Sequence, residues 1–208
     1  MWHLTLFISI FIHINKSTAD TSSIQQLYDE ISNNTISGRG NLIDLKFIDT
    51  NYGCHCRNFN HNLIKTDVAL ATKGQHVDSV DETCKYLHNG WSCLATRDNC
   101  DINQPYTMPS LINFTPFADG VPFDDCENLN QGNQCSIDIC KVELSFVINL
   151  FNNMFLGNYD ENMTDEQGFD AGDNCPTVKG DCVSRKCCFG EYPYKEIVYV
   201  CEPIICPS

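Results

Sequence analysis

Fourteen cysteines in 208 residues, none of them before Cys54, restrict what this chain can become more than any other feature. An even count in an exported chain most simply means complete pairing into disulfides. The residues concerned are Cys54, Cys56, Cys84, Cys93, Cys100, Cys126, Cys135, Cys140, Cys175, Cys182, Cys187, Cys188, Cys201 and Cys206. Spacing alone does not fix which cysteine meets which. Zinc is the competing use of Cys54-His55-Cys56 and of Cys187-Cys188, but neither has the C-x2-C spacing of a zinc knuckle. No metal and no cofactor is expected.

Export is expected because residues 1–19 read as a signal peptide. The apolar run from Leu4 to Ile14 is too short to span a bilayer, and Ser17-Thr18-Ala19 offers small residues for cleavage. The expected location is therefore secreted, extracellular or at the cell surface. The formal charge of −14 becomes one unit more negative when the leader goes, since Lys16 is its only charged residue. So acidic a chain repels nucleic acid and anionic membrane surfaces. The sequons at Asn33, Asn113 and Asn162 predict N-glycans on exposed chain.

Two long helices carry the expected core. Val77, Val80, Cys84, Leu87, Trp91 and Leu94 recur at spacings of three and four, which places them on one helical face. Asp78, Asp81 and Glu82 fall in its first turns, where negative charge suits the helix dipole. His88, one turn after Cys84, lies along the edge of the buried stripe. From Cys135 to Leu156, Cys140, Leu144, Val147, Phe151 and Met154 line one face, widened by Val142, Phe146, Leu150 and Phe155. A face that wide needs cover on more than one side. The two helices should pack against each other, joined by a disulfide from Cys140.

A shorter helix is expected around Ile24, Leu27, Tyr28 and Ile31 behind a serine cap. Residues 99–125 hold four prolines and no period, so this long stretch must be stapled through Cys100 and Cys126 or be functional. Residues 157–174 are acidic and turn-rich. Asp160, Asn162 and Thr164 imitate the start of a calcium-binding helix–loop–helix, but Asp165 and Ala171 stand where glycine and glutamate are needed. A solvated loop is expected there. The tail after Cys175, with its Glu196–Val200 run, reads as a small disulfide-stapled β-hairpin.

The order of these parts resembles the secreted phospholipase A2 family: Tyr52-Gly53-Cys54-His55-Cys56, then a helix carrying Asp81, Cys84, His88 and Cys93, then a second cysteine-bearing helix. The resemblance covers roughly residues 52–155. It implies a mainly α, disulfide-rich fold with a phospholipase A2-like pair of antiparallel helices and a small β-hairpin. The helical domain would occupy residues 20–174, with a cysteine-rich hairpin, residues 175–208, packed on it. In that family loop carbonyls hold calcium, the histidine is general base, and the next aspartate is a calcium ligand. A carboxylate on the second helix orients the histidine. The resemblance implies these roles for His88 and Glu143, with Asp138 the second choice for the carboxylate.

The departures fall on the calcium chemistry. Arg57-Asn58-Phe59-Asn60 replaces the glycine-rich end of the loop, Asn89 replaces the metal-binding aspartate, and Lys85 replaces a cysteine. The path from His88 to Cys93 is two residues longer than in the family. The tail segment Lys186-Cys187-Cys188-Phe189-Gly190-Glu191-Tyr192-Pro193 resembles C-C-G-E-Y-P segments of extracellular protist and marine-invertebrate proteins. These features predict a secreted structural or interaction protein of a surface, matrix or appendage, with protein partners or self-assembly. The alternative is a secreted phospholipase A2 using His88 and Glu143, for which phospholipid is the partner and calcium the cofactor.

Overall fold

The computed structural model describes residues 21–35, 51–57, 75–97, 99–111, 121–175, 184–187 and 197–200. The leader, the sequon at Asn113 and the cysteines at 182, 188, 201 and 206 lie outside these residues, as do the side chains of Asn33 and Cys187.

The described chain is mainly helical. Helix α1 spans Thr21–Thr35, α2 Ser79–Ala95, α3 Phe123–Leu129, α4 Gln134–Phe155 and α5 Ala171–Asn174. Two single 3-10 turns, Glu161–Met163 and Asp165–Gln167, lie between α4 and α5. Strand β1, Ser184–Cys187, pairs antiparallel with β2, Ile197–Val200, with Ser184 opposite Val200 and Cys187 opposite Ile197. What that pair packs on, and how it is stapled, falls outside the described residues.

Helix α4 is the spine. Its apolar residues outnumber what one partner can cover, and α1, α2 and α3 all pack against it. Asn133 caps its start by accepting the Ser136 N–H at 3.2 Å. Against it α1 buries Ile24, Leu27, Tyr28 and Ile31, the four positions its period places on one face. The Tyr28 and Phe151 rings meet at 6.2 Å. Each large apolar side chain so buried contributes about 1.5–3 kcal/mol.

Helices α2 and α4 run antiparallel, which three contacts show. Asn153 near the end of α4 donates to Ser79 O at 3.1 Å and to Thr83 Oγ1 at 3.0 Å, near the start of α2. Trp91 meets Glu143 in the middle. Arg97, just past α2, pairs with Asp138 in the first turns of α4. The helices approach closely because Gly90 faces Val142, where a Cβ would stand 2.6 Å from a valine methyl.

The expected disulfide between these two helices is not made. Cys140 bonds Cys126 of α3, Cys135 bonds Cys100, and Cys84 of α2 bonds Cys56. The physical reason is that Cys84 faces the 51–57 loop while Cys140 faces α3, so each sulfur bonds away from the partner helix. Both proline-rich flanks are thus fastened to α4 itself. Phe155, expected on the buried face, is about half exposed, whereas its neighbour Met154 is buried, so the buried face at this end of α4 is narrower than expected. Among the described residues no helix is long and apolar enough to cross a membrane.

Candidate functional site

The loop at residues 51–57 is folded back on itself, Tyr52 bridging Cys56. Two positive φ angles make that turn, 57° at Asn51 and 56° at Gly53. Asparagine is among the few non-glycine residues that tolerate this region, and glycine adopts it without strain. Gly53 is required for a second reason: a Cβ there would come within 2.6 Å of the Asp81 carboxylate.

Asp81 is the anchor of the loop. Fully buried, it accepts the His55 N–H at 2.6 Å and the Cys56 N–H at 3.2 Å on Oδ1, and the Val77 N–H at 3.1 Å on Oδ2. A buried carboxylate is tolerated only with its lone pairs occupied, and three backbone donors do so here. The Cys56–Cys84 disulfide fixes the same junction covalently. Asp78 caps α2 through the Asp81 N–H at 2.8 Å and also accepts the Tyr52 hydroxyl.

The acidic 157–174 segment is not a freely solvated loop; its backbone is docked on the other side. Gly53 N–H donates to Met163 O at 2.8 Å, and Tyr52 bridges Thr164. Tyr52 and Tyr159 stack at 5.0 Å, and the Asp160 N–H donates to the Tyr52 hydroxyl at 3.2 Å. The Cys54–Cys175 disulfide closes this side. Burial raises the Tyr52 hydroxyl far above the ordinary tyrosine range; the Asp160 N–H works against this, and the Asp78 carboxylate adds to it. Burial, with Glu161, Glu166 and Asp160 nearby, raises Tyr159 as well. The carboxylates of the segment stay at the surface, so the acidic composition described its side chains and not its backbone.

His88 is buried under the loop, and its Nε2 lies 2.8 Å from His55 O. A carbonyl only accepts, so Nε2 carries the proton. Nδ1 is enclosed as well. The Trp91 ring stands edge-on, 6.1 Å from the imidazole. Across the seam, buried Glu143 accepts the Trp91 indole N–H at 3.2 Å and the Tyr106 hydroxyl at 2.7 Å. Asp138 sits at the far end of α2 with Arg97 and with Gln134 Nε2 at 2.8 Å. Among the described residues, then, the His88 imidazole donates to a peptide carbonyl, while both candidate carboxylates accept from other side chains.

Arg57 closes the loop. Nη1 reaches Asn51 O at 3.4 Å and Gly53 O at 3.3 Å, and Nη2 is bonded to Asp165. Asn51 Nδ2 donates to the second oxygen of Asp165 at 3.0 Å. Asn89 is buried beside His88 in the sequence. Among the described residues, no cluster of three or more His, Cys, Asp or Glu side chains is arranged to hold a metal ion. Asn162 is exposed, with Nδ2 donating to Asp160 at 2.7 Å.

The loop and the first half of α2 therefore come together as one unit, with Tyr52, His55, Cys56, Asp81, Cys84 and His88 in it. The contacts of four residues, Asp81, Tyr106, Arg57 and Asp165, escape sequence reading. Asp81 shares a helical face with Cys84 and His88, a spacing that hints at burial. Tyr106 and the Arg57–Asp165 pair leave no local signal. No protein-family model, curated protein or solved structure matches this chain.

Proposed function

We propose that this is a secreted, disulfide-rich, N-glycosylated structural or interaction protein built on a phospholipase A2-like scaffold. Its cysteine-rich tail is proposed as a stapled β-hairpin carried on the helical body, and its partners as other extracellular proteins or further copies of itself. The observation that carries the reading is the partner of His88. A general base gains a proton in the reaction, and a carboxylate on its other nitrogen stabilises the resulting cation. His88 instead donates to the neutral carbonyl of His55, while Glu143 is engaged by Trp91 and Tyr106. That arrangement orients the ring and serves it poorly as a base. The four described disulfides suit an oxidising exterior.

The opposing reading is lipid hydrolysis by His88 and Glu143, favoured by the burial of both on the facing helices α2 and α4. Incubation of the purified glycoprotein with mixed phospholipid vesicles, with calcium or with chelator, separates the two. The expected result is no fatty-acid release above a protein-free blank. Release that disappears in His88→Ala and persists in a surface control such as Glu161→Gln would establish the hydrolase instead.

A further inference from the structure

We infer that the Arg57 guanidinium is the built-in cation of the 51–57 loop, filling a cluster of oxygen donors that would otherwise draw a metal ion. The calcium reading needs loop carbonyls free to face a dication and a carboxylate at position 89. Position 89 holds a neutral, buried amide, and Arg57 lies against two loop carbonyls, at 3.3 and 3.4 Å. A dication placed there would also meet a fixed positive charge. Among the described residues, these oxygen donors are therefore taken by Arg57 and not open to calcium.

What they do fit is a monovalent cation that the chain supplies itself. The guanidinium offers several donors in one plane, enough to meet Asn51 O, Gly53 O and the Asp165 carboxylate together. Asp165 comes from a segment over a hundred residues downstream, so the same group ties the loop to the 3-10 turns beneath it. Arg57 is about one-fifth exposed and Asp165 about two-fifths, so the pair is partly shielded from solvent. With the guanidinium removed, two carbonyls and one carboxylate would face each other with no cation among them. Oxygen donors of that kind suit a hard multivalent ion, and three of them hold it weakly.

The inference rests on Arg57 and stands whether or not His88 is catalytic. Its test is terbium luminescence excited through tyrosine, since Tyr52 belongs to the same loop, together with thermal melts of the whole oxidised glycoprotein. Wild type should give no loop emission and a melt unmoved by calcium or chelator. Arg57→Ala should melt at least about 3 °C lower. It should also gain emission that calcium competes away and that Arg57→Ala/Asp165→Asn lacks. Arg57→Lys, which keeps the charge, should stay closer to wild type than Arg57→Ala in both readouts. Emission from wild type equal to that of Arg57→Ala would overturn the inference. So would a folded Arg57→Ala without emission, or a lysine variant no more stable than the alanine one. Should Arg57→Ala fail to fold, the lysine variant alone decides: folded and free of emission supports the inference, and unfolded overturns it.

Discussion

Replacing Asp81 by asparagine tests whether the loop is held on α2 by one buried carboxylate. Asparagine keeps the shape and loses the symmetry, since it has one acceptor oxygen and one NH2 group. With its oxygen towards His55 and Cys56, its NH2 faces the Val77 N–H, donor to donor across about 3 Å. Turned the other way, it confronts two buried N–H groups. A donor left without an acceptor costs about 1–3 kcal/mol, and hydrogen bonds to a charged acceptor exceed neutral ones by about 1 kcal/mol. The expected loss is about 2–4 kcal/mol, which lowers the melting temperature of a chain this size by roughly 4–16 °C. Asp81→Ala, which strands all three donors, should lose more. Thermal melts of the oxidised protein give the magnitude, and amide hydrogen exchange at His55 and Cys56 gives the location. Exchange there should accelerate while that of the α4 core stays slow. An Asp81→Asn melt indistinguishable from that of the surface variant Glu161→Gln would refute the reasoning.

Gly90→Ala puts a methyl 2.6 Å from a Val142 methyl and should cost about 1–3 kcal/mol through overpacking. A double-mutant cycle with Val142→Ala should recover part of that loss, and strictly additive effects would show that the seam is looser than described. Alkaline pH should destabilise the protein through Tyr52, whose hydroxyl holds its proton more tightly folded than unfolded. The contribution is full below the unfolded tyrosine value near 10 and is lost as pH rises above it. Denaturant midpoints measured between about pH 8 and 11.5 should fall in the upper part of that range, and less steeply in Tyr52→Phe.

The helices were legible because their apolar residues follow a period that only a helix turns into a face. Ile24, Leu27, Tyr28 and Ile31 on α1, and Val80 through Leu94 on α2, end up buried for that reason. Period says nothing about which cysteine on a face meets which neighbour, so the Cys140 link to α3 could not be read. Nor does it separate a carboxylate that salts a helix start from one that is buried: Asp78 caps α2, and Asp81 disappears beneath the loop. Glu143 stood out only through the role that the resemblance implies for it, and neither its burial nor its partners were legible. Tyr106 reaches it from an aperiodic, proline-rich stretch whose position is set by the Cys100–Cys135 disulfide. The docking of residues 157–174 was hidden for a similar reason, since its ties run through backbone groups, the Tyr52–Tyr159 stack and the Arg57–Asp165 pair, none of which leaves a period.

The Cys54–Cys175 bond spans 121 positions and encloses the other three described disulfides, whose spans are 14, 28 and 35. For a chain made from its N-terminus, this imposes a timetable. At about 5–20 residues per second, Cys175 follows Cys54 by about 6–24 s. Cys84, the proper mate of Cys56, follows it by 28 residues, so for most of that interval Cys54 is a thiol two positions from Cys56 with Cys84 already present. Both thiols compete for one mate, and neither the docked turns nor α5 yet exists to decide between them. An early choice of the wrong mate would have to be corrected, and an enzyme that reshuffles disulfides should then govern the yield more than any chaperone of the helices.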